Sequence, residues 1–190
     1  MLVEDGTGKG YKLKIDDENM AHILSVSESE QHHTNSAHGE AYTFDIDAVT
    51  ISGAGEYFVV IKNTDDKSLH ISSVTLFMPE FSDTAIVEAY IGGTFAYSAN
   101  GTVVVPSNCN AGSGKTATGV FYKNDGGGDL ATIVQGSIAG RFMFDRQSIK
   151  WEKKSHWILP KNQCFMLICE KGQRIAGYIS FYYHNDQWSE

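Results

Sequence analysis

"QCFMLICEK", residues 163–171, decides how the rest of the chain is read. Side chains alternate across a strand, so Cys164, Met166 and Ile168 take one face and Phe165, Leu167 and Cys169 the other. Both faces are apolar. Such a strand is either central in a sandwich or covered by another subunit, because neither face is suited to water. The next stretch, "IAGYISFYYH" (175–184), alternates instead: Ile175, Gly177, Ile179, Phe181 and Tyr183 share one face at period two.

Working outward, short runs rich in Val, Ile, Phe and Tyr recur along the chain. They are "YKLKI" (11–15), "HILSV" (22–26), "AYTFDI" (41–46), "EYFVVIKN" (56–63), "LHISSVTLFM" (69–78), "AIVEAYIG" (85–92), "TVVV" (102–105), "ATGVFYK" (117–123) and "GRFMFD" (140–145). Connections such as "KNTDDKS" (62–68) and "KNDGGGD" (123–129) supply turn residues. This pattern predicts an all-β protein, a sandwich or barrel. One stretch competes as a helix: "DDENMAHILSV" (16–26) has Met20, Ile23 and Leu24 at helical spacing. Because Ser25-Val26-Ser27 resumes alternation, it is read as a strand. The basic cluster "KWEKK" (150–154) contains a Glu and is read as a solvated loop. The expected organisation is a Gly-rich arm over residues 1–10 followed by a single domain over 11–190.

The chain has 190 residues and 20.9 kDa, enough to bury roughly 70% of its unfolded surface without staples. A net charge of −8 argues against a nucleic-acid groove, which needs concentrated Lys and Arg. No apolar run approaches a membrane span, and "MLVEDGTGKG" lacks the pattern of a signal peptide. The three cysteines, Cys109, Cys164 and Cys169, have no metal-ligand spacing and read as free thiols of a reducing compartment.

Several stretches suggest chemistry and are tested by their spacing. "NCNAGSGKT" (108–116) ends like a phosphate-binding loop, but Cys109 stands where that loop needs Gly. Residues 117–123, immediately after it, read as a strand, whereas phosphate binding there requires a helix N-terminus. Gly114-Lys115-Thr116 is therefore read as a surface connection between strands. "DGTG" (5–8) has an extra Gly relative to the Asp-Thr-Gly of aspartic proteases, and no second copy supplies the paired carboxylate. In "EQHHTNSAHGE" (30–40), His32, His33 and His38 lie between Glu30 and Glu40, types that can bind zinc. The adjacent His residues diverge on a regular backbone, so the stretch reads as a solvated polar loop. His22, His70, His156 and His184 are scattered singly and read as strand or loop surface residues. No Ser occupies a G-x-S-x-G turn. Neither a catalytic constellation nor a cofactor or metal site is predicted.

Taken together, "VEDGTGKGYKLKIDDENMAHILSVSESE" (3–30), "EYFVVIKNTDDKSLHISSVTLFM" (56–78), the Asn-Ala-Gly-Ser stretch at 110–113 with Lys115, "VFYKNDGGGD" (120–129) and "ILPKNQCFMLICE" (158–170) resemble a group of tailed-phage virion proteins. Asn162 stands where Gly is common in that group. The resemblance implies a jelly-roll-like antiparallel β-sandwich, made in the host cytoplasm and carried on the capsid exterior as a decoration or cement protein. It implies the major capsid protein and further copies of the chain, as a trimer, for partners, with neither nucleic acid nor membrane among them. Contacts are expected from the arm, at Val3, Glu4, Asp5, Gly6, Thr7 and Gly8, and from the apolar and aromatic stretches, at Phe165, Leu167, Tyr182 and Trp188.

Two other functions compete. A tail or fibre-tip module recognising host glycans would use exposed aromatic residues, for which Trp151, Trp157 and Trp188 are candidates. A small metal-dependent barrel enzyme of the cupin kind would need several converging histidines, and His70 and His184 are the ones on strand-like segments. Fold alone does not choose among these.

Overall fold

The computed structural model describes residues 30–78, 84–97, 100–124, 130–134, 136–144, 150–170 and 174–185. The segments expected as strands at 11–15 and 22–26, and the arm, lie outside them. A helical turn at Glu30–His33 runs into a wider turn at Thr34–His38 and is followed by strands. These are β1 (Ala41–Asp45), β2 (Val49–Thr50), β3 (Glu56–Asn63), β4 (Ser68–Phe77), β5 (Ala85–Ile91), β6 (Thr94–Tyr97) and β7 (Gly101–Val103). Then come β8 (Ser107–Asn108), β9 (Gly119–Asn124), β10 (Ala131–Val134), β11 (Ser137–Phe144), β12 (Lys150–Leu159), β13 (Cys164–Cys169) and β14 (Arg174–His184).

Two antiparallel sheets pack face to face. The first has the order β12-β4-β14-β1-β8, with β2 beside β14, and the second β11-β5-β13-β3-β9-β7. Within them, β1-β14-β4-β12 faces β3-β13-β5-β11, the strand order of a jelly roll. Apart from β2, the rest is an excursion between β5 and β11. It sends β7 and β9 to extend the second sheet beyond β3, and β8 to extend the first beyond β1. Its outgoing and returning limbs, β6 and β10, pair with each other as a two-stranded ribbon.

Period-two alternation builds the core between the sheets. From β14, Ile175, Ile179, Phe181 and Tyr183 point inward, as their spacing predicts, and meet Tyr42, Phe44, Phe58, Ile61, Leu69, Ile71, Phe165 and Leu167. Phe181 stacks between Tyr42 and Phe121, at ring-centre distances of 5.6 and 5.4 Å. Trp157 closes the other end of the core against Phe165, at 5.1 Å. Where the chain turns between β3 and β4, buried Asn63 ties two connections together. Its Nδ2 donates to the carbonyls of Lys67 and Leu159, both at 2.8 Å, and its Oδ1 accepts from the Asp65 N–H at 2.9 Å.

Two sequence expectations are corrected. "KWEKK" is not a loop: Lys150–Lys154 pair with Phe77–Ser73 as the first part of β12. An edge strand tolerates charge, which also discourages pairing with other molecules, so a mixed charge run does not exclude a strand. Residues 30–38 form helical turns, closed by Gly39 in the left-handed conformation at φ 62°. A Cβ there would stand 2.5 Å from Ser113 Oγ, so the loop that lies against this turn also requires Gly. The ribbon strands β6 and β10 escaped the sequence reading because each is only a few residues long and carries little periodicity.

Gly177 sits inside β14, against β4, and a Cβ would come within 2.1 Å of the Thr75 carbonyl oxygen. The obstacle is backbone in a central pair of strands and cannot swing aside. Gly177→Ala is expected to cost about 3 kcal/mol of unfolding free energy, measurable by urea denaturation. A loss under about 1 kcal/mol would mean that β4 and β14 separate easily at this point.

Candidate interaction surface

Strand register assembles one continuous feature on the outer face of the second sheet. Val103 pairs with Tyr122, Tyr122 with Val60, Val60 with Met166, Met166 with Tyr90 and Tyr90 with Ile138. Cross-strand partners on one face are neighbours in space, so these six side chains form an apolar and aromatic row across the whole sheet. In its middle, Val60 and Met166 are buried, in a second apolar cluster with Tyr57, Leu130 and Cys164. Phe95 of β6 packs on this cluster, and Leu130 at the foot of β10 is fully buried in it. The ribbon therefore covers the middle of the row.

The ends of the row are bare. Val103 is 65% exposed and Val105 77%, and both line a groove of about 220 Å³ with Pro106, Val120 and Tyr122. At the opposite edge Ile138 is 46% exposed and Met143 66%. Beside them buried Glu88 accepts from Arg141 Nε at 2.6 Å and from the Tyr90 hydroxyl at 2.9 Å. Open edge strands with apolar side chains are surfaces that a partner can cover.

Not all of the expected contact residues lie on this surface. Phe165 and Leu167 point into the main core and are fully buried, so they have no surface to offer a partner. Tyr182 is also buried: its ring stacks on His70 at 5.0 Å. The double apolar character of β13 is satisfied within the chain, by the opposite sheet on one side and by the ribbon on the other. Val3, Glu4, Asp5, Gly6, Thr7, Gly8 and Trp188 lie outside the described residues. So does the side chain of Trp151, while Trp157 is partly buried in the core. The residues that sequence reasoning missed are Val103, Val105, Ile138 and Met143. They carry no motif, and only the register with β5 and the path past β7 places them on one face.

The histidines sit elsewhere. His70, expected at the surface, is buried, and His184 meets its ring edge-on at 5.7 Å. The two do come together, but on the outer face of the first sheet and not inside a barrel. His33 and His38 touch edge-on at 5.5 Å. Among the described residues no group of three His, Cys, Asp or Glu converges as a metal site.

"NCNAGSGKT" resolves into a polar clasp. Asn108 Nδ2 donates to the carbonyls of Gly39 and Lys115, at 2.9 and 3.0 Å, and Asn110 Nδ2 to that of Asn35 at 3.1 Å. Ser113 Oγ donates to Gly39 at 3.1 Å. Lys115, the lysine of the apparent phosphate-loop tail, donates instead to Glu40 Oε1 at 2.8 Å. Lys67 donates to both oxygens of that carboxylate, at 2.7 and 2.6 Å. Burial favours the neutral acid, yet the hydrogen bonds and charges of Lys115 and Lys67 hold the Glu40 carboxyl below its ordinary range. Nearby, burial pushes the Tyr183 phenol up, and its hydroxyl donates to the Thr118 carbonyl at 2.8 Å.

No protein-family model matches this chain, and neither the search of curated proteins nor that of solved structures found a match. The class that the geometry defines is a jelly-roll sandwich whose β5–β11 excursion wraps the second sheet.

A depressed carboxyl stabilises the fold above its unfolded pKa, and that contribution is lost as pH falls through the folded value. Glu40→Gln is expected to cost about 1 kcal/mol near neutral pH, a modest figure because both lysines are partly exposed. The difference from the parent protein should shrink toward zero at about pH 3. Urea unfolding of both proteins at the two pH values checks this, and a difference that persists in acid would assign Glu40 a packing role instead.

Proposed function

We propose that this protein is a non-enzymatic structural component of a tailed-phage virion, a decoration or cement protein on the outer surface of the capsid. The observation that carries the reading is the cross-sheet row, which ends in exposed Val103 and Val105 on one edge and in exposed Ile138, with Met143 beside it, on the other. Two separated apolar edges suit a subunit that bridges neighbours, better than a single cleft that encloses a small molecule. The resemblance of the sequence to virion proteins adds support.

The physical role rests on linkage. A protein that binds the assembled shell and not the loose capsid subunit stabilises the shell by mass action. Each contact is small, so attachment gains from several contacts made at once, whether by several sites on one chain or by an oligomer such as a trimer.

The test is to separate virions into head and tail fractions and count this chain in each by mass spectrometry. Hundreds of copies with the heads are expected. A few copies with the tails would overturn the capsid reading in favour of a receptor-binding role. On heads stripped of the protein, a Val103→Asp/Val105→Asp variant should rebind at least about tenfold more weakly, because it places charge at the centre of an apolar contact. Both positions are exposed, so the variant's unfolding curve should match that of the parent.

A further inference from the structure

The excursion between β5 and β11 reaches the far edge of the second sheet and returns. The ribbon made by its two limbs lies over Val60, Cys164 and Met166. We infer that this β6–β10 ribbon is a hinged cover, which opens as a unit over the outer face of β3 and β13 while the sandwich stays folded. The inference does not rest on the capsid reading.

Four observations carry it. First, β6 and β10 pair with each other and belong to neither large sheet; an isolated two-stranded ribbon is marginal in water. Second, among the described side chains its apolar hold on the sheet runs through Phe95 and Leu130, which pack on the outer cluster and not on the main core. Third, its polar tie at Leu130 is long, with the Leu130 N–H donating to the Tyr57 carbonyl at 3.3 Å. Fourth, β6 departs from β5 through Gly92 and Gly93, at φ 86° and 66°. Two successive glycines in the left-handed region allow the chain to turn sharply there; the Gly92 N–H is held by the Cys164 carbonyl at 2.9 Å, so the freedom to rotate lies at Gly93. Opening would bare a strip from Val103 to Ile138, joining the two exposed edges.

The cysteines provide a test within the natural sequence. Cys164 lies under the ribbon, Cys169 lies on the same strand in the main core, and Cys109 is exposed. Burial pushes the Cys164 thiol up, so it reacts only when uncovered. The native full-length chain would be pulsed with iodoacetamide, quenched, digested and analysed by mass spectrometry. Cys109 should label at once, and Cys164 at least about tenfold faster than Cys169, whose labelling tracks global unfolding. Equal rates at Cys164 and Cys169 would overturn the inference, because both would then wait for the whole sandwich to unfold. Phe95→Ala, which removes an anchor of the ribbon, should speed Cys164 by a further factor of about ten and leave Cys169 unchanged. Equal acceleration of both would show that ribbon and sandwich are one cooperative unit. If that variant does not fold, hydrogen exchange at β6 in the parent protein decides, with exchange as slow as in β13 counting against a hinge.

Discussion

The structure depends on one constraint: β13 is apolar on both faces, and both must be kept from water. The opposite sheet covers Phe165, Leu167 and Cys169. A two-sheet sandwich has nothing to place over Cys164 and Met166, so a third layer is needed. The β5–β11 excursion provides it by laying β6 and β10 across the outer face. Extension of the sheet by β9 and β7, the row from Val103 to Ile138 and the bare apolar edges are all consequences of how that layer is built. The ribbon is narrower than the sheet, so the row emerges on either side of it.

Apolar packing organises the middle of the molecule and polar ties organise its ends. At one end Asn63 satisfies groups from the β3–β4 and β12–β13 connections. The clasp from Asn108 to Lys115 holds the turn before β1 through side-chain donors to backbone carbonyls. Such donors complete the hydrogen bonding of loops that have no strand partner. They also explain how a stretch resembling a nucleotide motif serves here as a connection between strands. Small polar residues and glycines are what a tight clasp requires, and Lys115 neutralises a carboxylate on the turn that the clasp holds.

Most of the sandwich was legible in the sequence, because strands such as β3, β4, β5 and β14 are long enough for period-two alternation to show which face is buried. The two apolar faces of β13 were legible too, but not what covers the second one. Spacing along a strand reports that a face is dry and does not name its neighbour. That neighbour is Leu130 and Phe95, from short segments far away in sequence with no pattern of their own. β12 was hidden for the opposite reason: its charges obeyed the rules for an edge strand, which coincide with those for a loop. The candidate surface was the least legible part. Phe165, Leu167 and Tyr182 look adhesive as a set of side chains, but their positions in the sheets bury them, while inconspicuous Ile138 and Met143 face solvent.

The pairing of β1 with β14 sets Ala41–Asp45 against Tyr178–Tyr182, bringing the start and the finish of the described sandwich together at the centre of one sheet. A ribosome delivers these strands in order, at about 5–20 residues per second, so β1 waits on the order of ten seconds for the partner that completes its sheet. During that interval Tyr42, Phe44 and the apolar run of β3 have no finished core to enter. The nascent chain is therefore exposed to mispairing with its neighbours on the same messenger. Its yield in the cell should depend on how well chaperones shield the first half of the chain until the last strand has emerged.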